Sequence, residues 1–178
     1  MLVTNHVLSG ALIGAVTRRP AVAFTAGIAS HFALDATPHW GDWGADEGLF
    51  LRVAIRDGLI GLAVMGGVAA LAPKEARVAV IAGMAGAALP DLDKPAIVFF
   101  GRSPFPRAID KFHAQIQREA RNRFPVEVTA GLGFAAATLA ALAVVRREGR
   151  VRRAAGPGEQ VKPRAGKLAR TWPPARRA

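Results

Sequence analysis

The chain has 178 residues, no cysteine, 24 basic against 13 acidic side chains and a net charge of +11, yet 51% of it is hydrophobic and its mean hydropathy is +0.23. A soluble domain rarely combines these properties, so they must be segregated along the chain, and the length allows one domain or one membrane bundle with a tail. Without cysteine there is neither a disulfide framework nor a thiolate zinc site, and any bound metal must be held by nitrogen and oxygen.

Apolar stretches separated by short charged punctuation run over residues 3–16, 21–36, 53–72, 78–89 and 126–145, and all five are expected to be helices. The stretch 126–145 is the best candidate for a span, because about 20 apolar residues rising about 1.5 Å each match a hydrocarbon core of about 30 Å. The stretch 53–72 is nearly as good, with Arg56 and Asp57 confined to its first turns. The other three are short for a full crossing and read as partial or tilted helices inside the bundle. Gly and Ala occur on every face, without the polar stripe of a soluble surface helix, and the small residues around Gly10, Gly14, Gly83 and Gly86 suit close helix packing. The expected fold is all-α: a polytopic membrane helical bundle of about five helices over residues 1–145, followed by a basic, disordered tail over 146–178.

The sequence Met1-Leu-Val-Thr-Asn-His6 has no positive leader segment, and Arg18 and Arg19 follow the apolar stretch, so a retained helix with its N-terminus outside is expected. If the helices alternate, the turns at 18–20 and 73–77 share one side with the tail and hold 15 Lys and Arg, against 9 on the other side. That bias places the first side in the cytoplasm.

The candidate metal ligands play no part in this assignment, yet they all fall on the outer side. His6 opens the first helix, His31, Asp35 and His39 close the second, Asp57 opens the third, Asp91 and Asp93 close the fourth, and His113 lies in the following outer segment. His31 and Asp35 are spaced i, i+4 and share one helical face. Pro38 should end that helix and let His39 fold back toward the same face. Pro90 and Pro95 should interrupt the chain around Asp91 and Asp93, whose carboxylates would point the same way in extended backbone. Imidazoles with carboxylates suit Zn²⁺, Mn²⁺ or Fe²⁺. Each piece also has a plainer reading: a hydrogen-bonded pair for His31 and Asp35, an ion pair with Arg56 for Asp57, helix capping for Asp91 and Asp93, and an aromatic anchor for His113 on an interfacial helix over 107–123.

The ordered set Thr4-Asn-His6, His31-Phe-Ala-Leu-Asp35-Ala-Thr-Pro-His39, Leu89-Pro-Asp-Leu-Asp93 and His113 resembles the YdjM-like family of bacterial inner-membrane, predicted metal-dependent hydrolases, and is more distantly similar to the zinc-dependent phospholipase C group. The resemblance covers residues 1–145 and implies a multi-pass helical bundle with a metal site built from His6, His31, Asp35, Asp91 or Asp93, and His113. This chain departs from the pattern at Phe112-His-Ala-Gln-Ile-Gln117, with one histidine where the wider family often carries two.

Metal-assisted hydrolysis is the chemistry such a site would support, with Asp57 or Asp93 as the base and lipid-like ester or phosphodiester substrates at the outer face. The alternative is a non-catalytic membrane protein whose cluster holds a structural metal or a polar network. No serine-hydrolase elbow or phosphate-binding glycine loop is present. The basic tail is expected to meet anionic lipid head groups of the cytoplasmic leaflet. Nucleic acid is a poorer partner, since only Trp172 offers stacking.

Overall fold

The computed structural model describes residues 1–41 and 47–155. Among these, seven α-helices follow in order: α1 (Val3–Thr17), α2 (Pro20–Asp35), α3 (Glu47–Leu71), α4 (Lys74–Ala88), α5 (Asp93–Phe100), α6 (Arg107–Ile116) and α7 (Phe124–Ala154). Two strands of two residues each, β1 (Pro38–His39) and β2 (Arg118–Glu119), form a parallel pair. The fold is all-α in character, and the expected apolar helices correspond to α1 to α4 and α7.

At the centre, α1 packs on α2, α3, α4 and α7. Its closeness to α4 is set by glycine: a Cβ on Gly10 would overlap the Gly83 carbonyl, and one on Gly86 would overlap the carbonyl of Phe24 on α2. Only residues without side chains let three backbones approach this nearly. Around that contact Val7, Ala11, Ala15, Val80, Met84, Leu142 and Val145 form the buried apolar core.

The helices facing outward are apolar in the wrong place for water. Leu59 and Leu62 on α3 are 63% and 67% exposed, and Leu132 on α7 is 68% exposed. Two segments, Leu51–Leu71 and Arg121–Ala154, are long and apolar enough to cross a membrane. By contrast, α1, α2 and α4 have 15, 16 and 15 residues, about 22–24 Å at the helical rise.

Three local expectations are corrected. The helix expected at 126–145 continues to Ala154, because Arg and Glu are good helix formers. Arg146 also donates to the Leu71 carbonyl, and Arg18 pairs with Glu148 at 2.6 Å. Helix α6 stops at Ile116 and does not run to 123, because residues 118–120 are taken into pairing with β1, including the Ala120 N–H donated to the His39 carbonyl at 3.0 Å. Residues Leu89–Leu92 form a 3-10 turn that runs into α5, where extended chain was expected; proline is accommodated in the first turn of each short helix. The tail beyond 155 and residues 42–46 lie outside the described residues, and α3 begins at Glu47, ahead of the start expected at 53.

Candidate metal centre

One end of the bundle gathers the C-termini of α2 and α4 with the N-termini of α1, α5 and α7, and most of the titratable side chains singled out above sit there. His31 and Asp35 leave α2 one turn apart, Asp91 comes from the 3-10 turn after α4, and His113 comes from α6. One donor atom from each of these four residues lies within 4.8 Å of all the others.

Three of the donors form a tight triangle. Oδ2 of Asp35 lies 3.2 Å from Nε2 of His31 and 2.9 Å from Nε2 of His113, and the two Nε2 atoms are 3.1 Å apart. Ligands about 2.1 Å from one ion stand about 3.0 Å apart at right angles and about 3.4 Å apart at the tetrahedral angle, so the edges suit a shared divalent ion. Oδ1 of Asp91 stands 3.9 Å from each of the two Nε2 atoms as a fourth donor.

The second partners of the rings also suit a metal. His31 Nδ1 lies 2.8 Å from the Ala87 carbonyl, to which it donates, leaving the Nε2 lone pair for the centre. His113 Nδ1 lies 3.4 Å from Oδ2 of Asp93, the carboxylate–imidazole arrangement that orients metal-ligating histidines. Asp93 therefore stands behind the His113 ring, away from the converging donors, and is poorly placed to act as a base there.

His6 approaches from the other carboxylate oxygen. Its Nε2 is 3.1 Å from Oδ1 of Asp35, and its ring stacks on His31 with centroids 4.0 Å apart. The Met1 ammonium group is 2.6 Å from the same Oδ1. Phe32 meets both His31 and His113 edge-on. Asp35, His6 and His31 are fully buried and His113 nearly so.

Charge balance follows from these contacts. Burial disfavours the Asp91 carboxylate, but Lys94, which donates to its Oδ1, outweighs burial with help from His6 and His31, and the pKa falls to about 2. Burial likewise opposes the His113 imidazolium, but Asp35 and Asp93 outweigh it and raise its pKa to about 9.

Asp57 and His39 are not brought into the four-donor group. Asp57 accepts the N–H groups of Val3 (2.6 Å) and Thr4 (3.3 Å) and the Thr4 hydroxyl (2.5 Å). It caps α1 from a neighbouring helix, where Leu2 offers no side-chain cap. His39 does not fold back: the β1 and β2 pairing turns its Nε2 toward Glu119, 3.9 Å away.

Other groups escaped the sequence reading. Glu127 on α7 is 2% exposed and accepts from Leu2 N–H, Asn5 Nδ2 and Trp40 N–H at 3.0, 2.7 and 3.0 Å, holding α1, α7 and the chain after β1 together. Its signal was there to find, as the one charged residue of 126–145. Gln117, one turn after His113, places its amide 3.4 Å from Oδ2 of Asp35. Compared with protein families, curated proteins and solved structures, the chain matches none.

Proposed function

We propose that this chain is a multi-pass inner-membrane protein and a metal-dependent hydrolase, with a divalent ion, Zn²⁺ first and Mn²⁺ or Fe²⁺ next, held by His31, Asp35, Asp91 and His113. The observation that carries the reading is the triangle of Asp35 Oδ2, His31 Nε2 and His113 Nε2, with edges of 2.9 to 3.2 Å. Three such acceptors turned toward one point need a cation or a proton between them, and both rings have their other nitrogen engaged elsewhere.

In this reading α3, α7 and the outer face of α2, with Val22 and Phe24 exposed, face lipid, while α1 is the most enclosed helix. The basic end with Arg18, Arg19, Lys74, Arg77 and the arginines of α7 faces the cytoplasm. The metal end then lies at the outer interface, where ester or phosphodiester lipids are the molecules it meets. A bound divalent ion would acidify water and polarise a carbonyl or phosphoryl oxygen. Lys94, whose side chain is 31% exposed, pairs with Oδ1 of Asp91; with that oxygen on the ion, its charge would be freed at the edge of the site for an anionic substrate. The basic segment after α7 would lie on anionic head groups of the inner leaflet.

The decisive measurement is the metal content of the full chain purified in detergent, wild type against His31→Ala and Asp35→Ala. Each substitution should remove one ion per chain. Sub-stoichiometric metal in a metal-replete wild type would sink the reading. A screen of ester and phosphodiester lipids follows, with turnover expected to disappear in His31→Ala. A structural metal is the second reading, favoured by the near-complete burial of Asp35, His31 and His113; it predicts retained metal with no turnover of any lipid in the screen.

A further inference from the structure

We infer that His39 and Glu119 form a second cation site, separate from the four-donor centre, for a divalent transition-metal ion such as Zn²⁺. The two residues face one another in the parallel pair of β1 and β2, so their side chains leave the backbone as neighbours.

The His39 ring is fully buried. Its Nδ1 lies 2.8 Å from the Thr37 carbonyl, to which it donates, so the lone pair sits on Nε2. That Nε2 is buried without a hydrogen-bond partner among the described residues, although leaving a buried polar atom unmatched is costly. Among the described residues the nearest acidic atom is Oε1 of Glu119, 3.9 Å away. Two donors each about 2.1 Å from one tetrahedral ion stand about 3.4 Å apart, so a shift of about 0.5 Å by the partly exposed Glu119 side chain brings the pair onto a shared ion.

Two further features mark a built site. The Glu119 carboxylate passes over Gly41, where a Cβ would overlap it, so a residue without a side chain makes room for the acid. His39 also repeats the arrangement of His31, whose Nδ1 is held by the Ala87 carbonyl while Nε2 faces carboxylates; a backbone acceptor behind the ring is the usual support of a metal-binding imidazole. The Glu119 side chain is 29% exposed, which leaves the remaining coordination positions to water.

The site has a mechanical consequence. His39 lies four residues beyond Asp35, and Glu119 lies six beyond His113. An ion across the pair cross-links the two chain segments that deliver Asp35 and His113 to each other, and so holds the first centre in register.

The test is metal stoichiometry of the full-length protein, stripped and reloaded with Zn²⁺ and, for absorption spectra, with Co²⁺. Wild type is expected to hold two ions per chain, and Glu119→Gln and His39→Ala one each. His31→Ala should lose the other ion and keep this one. Glu119→Gln keeps the side-chain shape at a partly exposed position, so an unchanged melting profile separates ion loss from misfolding. One ion per chain that survives both Glu119→Gln and His39→Ala overturns the inference and leaves the four-donor centre standing. One ion lost with His39→Ala but kept in His31→Ala supports it and overturns the four-donor centre instead.

Discussion

Nε2 of His113 lies 2.9 Å from Oδ2 of Asp35, although 78 residues separate them in the chain. Asp35 is thereby the hub of the buried end: one oxygen serves His31, His113 and Gln117, and the other serves His6 and the Met1 ammonium. Removing it leaves several buried polar groups unmatched. Asp35→Ala is expected to abolish metal binding at the four-donor centre and to destabilise the protein by about 3–5 kcal/mol, the usual loss on breaking a buried ionic network from one side. Metal analysis and thermal melting in detergent would check both. A melting point equal to wild type would contradict the hub role.

Asp93 provides a sharper test, because a ligand and an orienting group fail differently. Its carboxylate stands behind His113 at Nδ1, 3.4 Å away, not among the converging donors. Asp93→Asn should therefore keep one ion at the four-donor centre when metal is saturating, while weakening affinity there about 10–100-fold. Competition titration with a chelating dye reads this directly. Complete loss of that ion at saturation would instead make Asp93 a ligand.

Much of this end was legible in the sequence because helical spacing is short-range information. His31 and Asp35 sit one turn apart on any helix, and prolines bound the helix ends on either side of them. His113 was a candidate by its side of the bundle and by the resemblance, but its position against Asp35 was not legible, since it depends on where α6 ends and on the ladder that pairs residues 118 and 119 with 38 and 39. The same ladder explains His39: a rule about proline gives the end of α2 but not the direction of the chain after it. Asp57 illustrates another limit. An acid near the start of an apolar helix reads as a ligand until the neighbouring helix it caps is known, and α1 lies more than 50 positions earlier in the chain. Glu127 was visible by composition alone, and its partners, Leu2, Asn5 and Trp40, come from segments far away in the chain.

The raised pKa of His113 sets a pH dependence whose sign is fixed. Its folded value of about 9 exceeds the ordinary 6.5 because Asp35 and Asp93 outweigh the penalty of burial. In metal-stripped protein the resulting stabilisation is complete below about pH 6.5 and is lost as pH rises through about 9, in total on the order of 3 kcal/mol. Stripped wild type should therefore melt progressively lower from pH 6.5 to 9.5, while His113→Asn should show a flatter profile. Metal binding to the four-donor centre at pH 7.5 should also release close to one proton, read from calorimetry in buffers of different ionisation enthalpy. Equal heats in all buffers would rule out a protonated His113 in the stripped protein.

The glycine contact between α1 and α4 makes a prediction about the whole bundle, with an internal control. At Gly83 any side chain would meet the Gly10 carbonyl, backbone that cannot swing aside, whereas at Gly66 on α3 nothing lies within 4 Å of the added Cβ. Gly83→Val must separate the central helices and with them the C-terminus of α4 that leads to Asp91. It should lower stability by about 3 kcal/mol or more, beyond ordinary overpacking, and should weaken metal binding at the four-donor centre although no ligand is changed. Gly66→Ala, on an exposed helical face, should stay within about 1 kcal/mol of wild type and tend toward greater stability, because alanine is the better helix former. Denaturation of both variants in the same detergent is the check. Equal stability for the two would mean that close backbone contact at Gly10 and Gly83 does not set the spacing of α1 and α4.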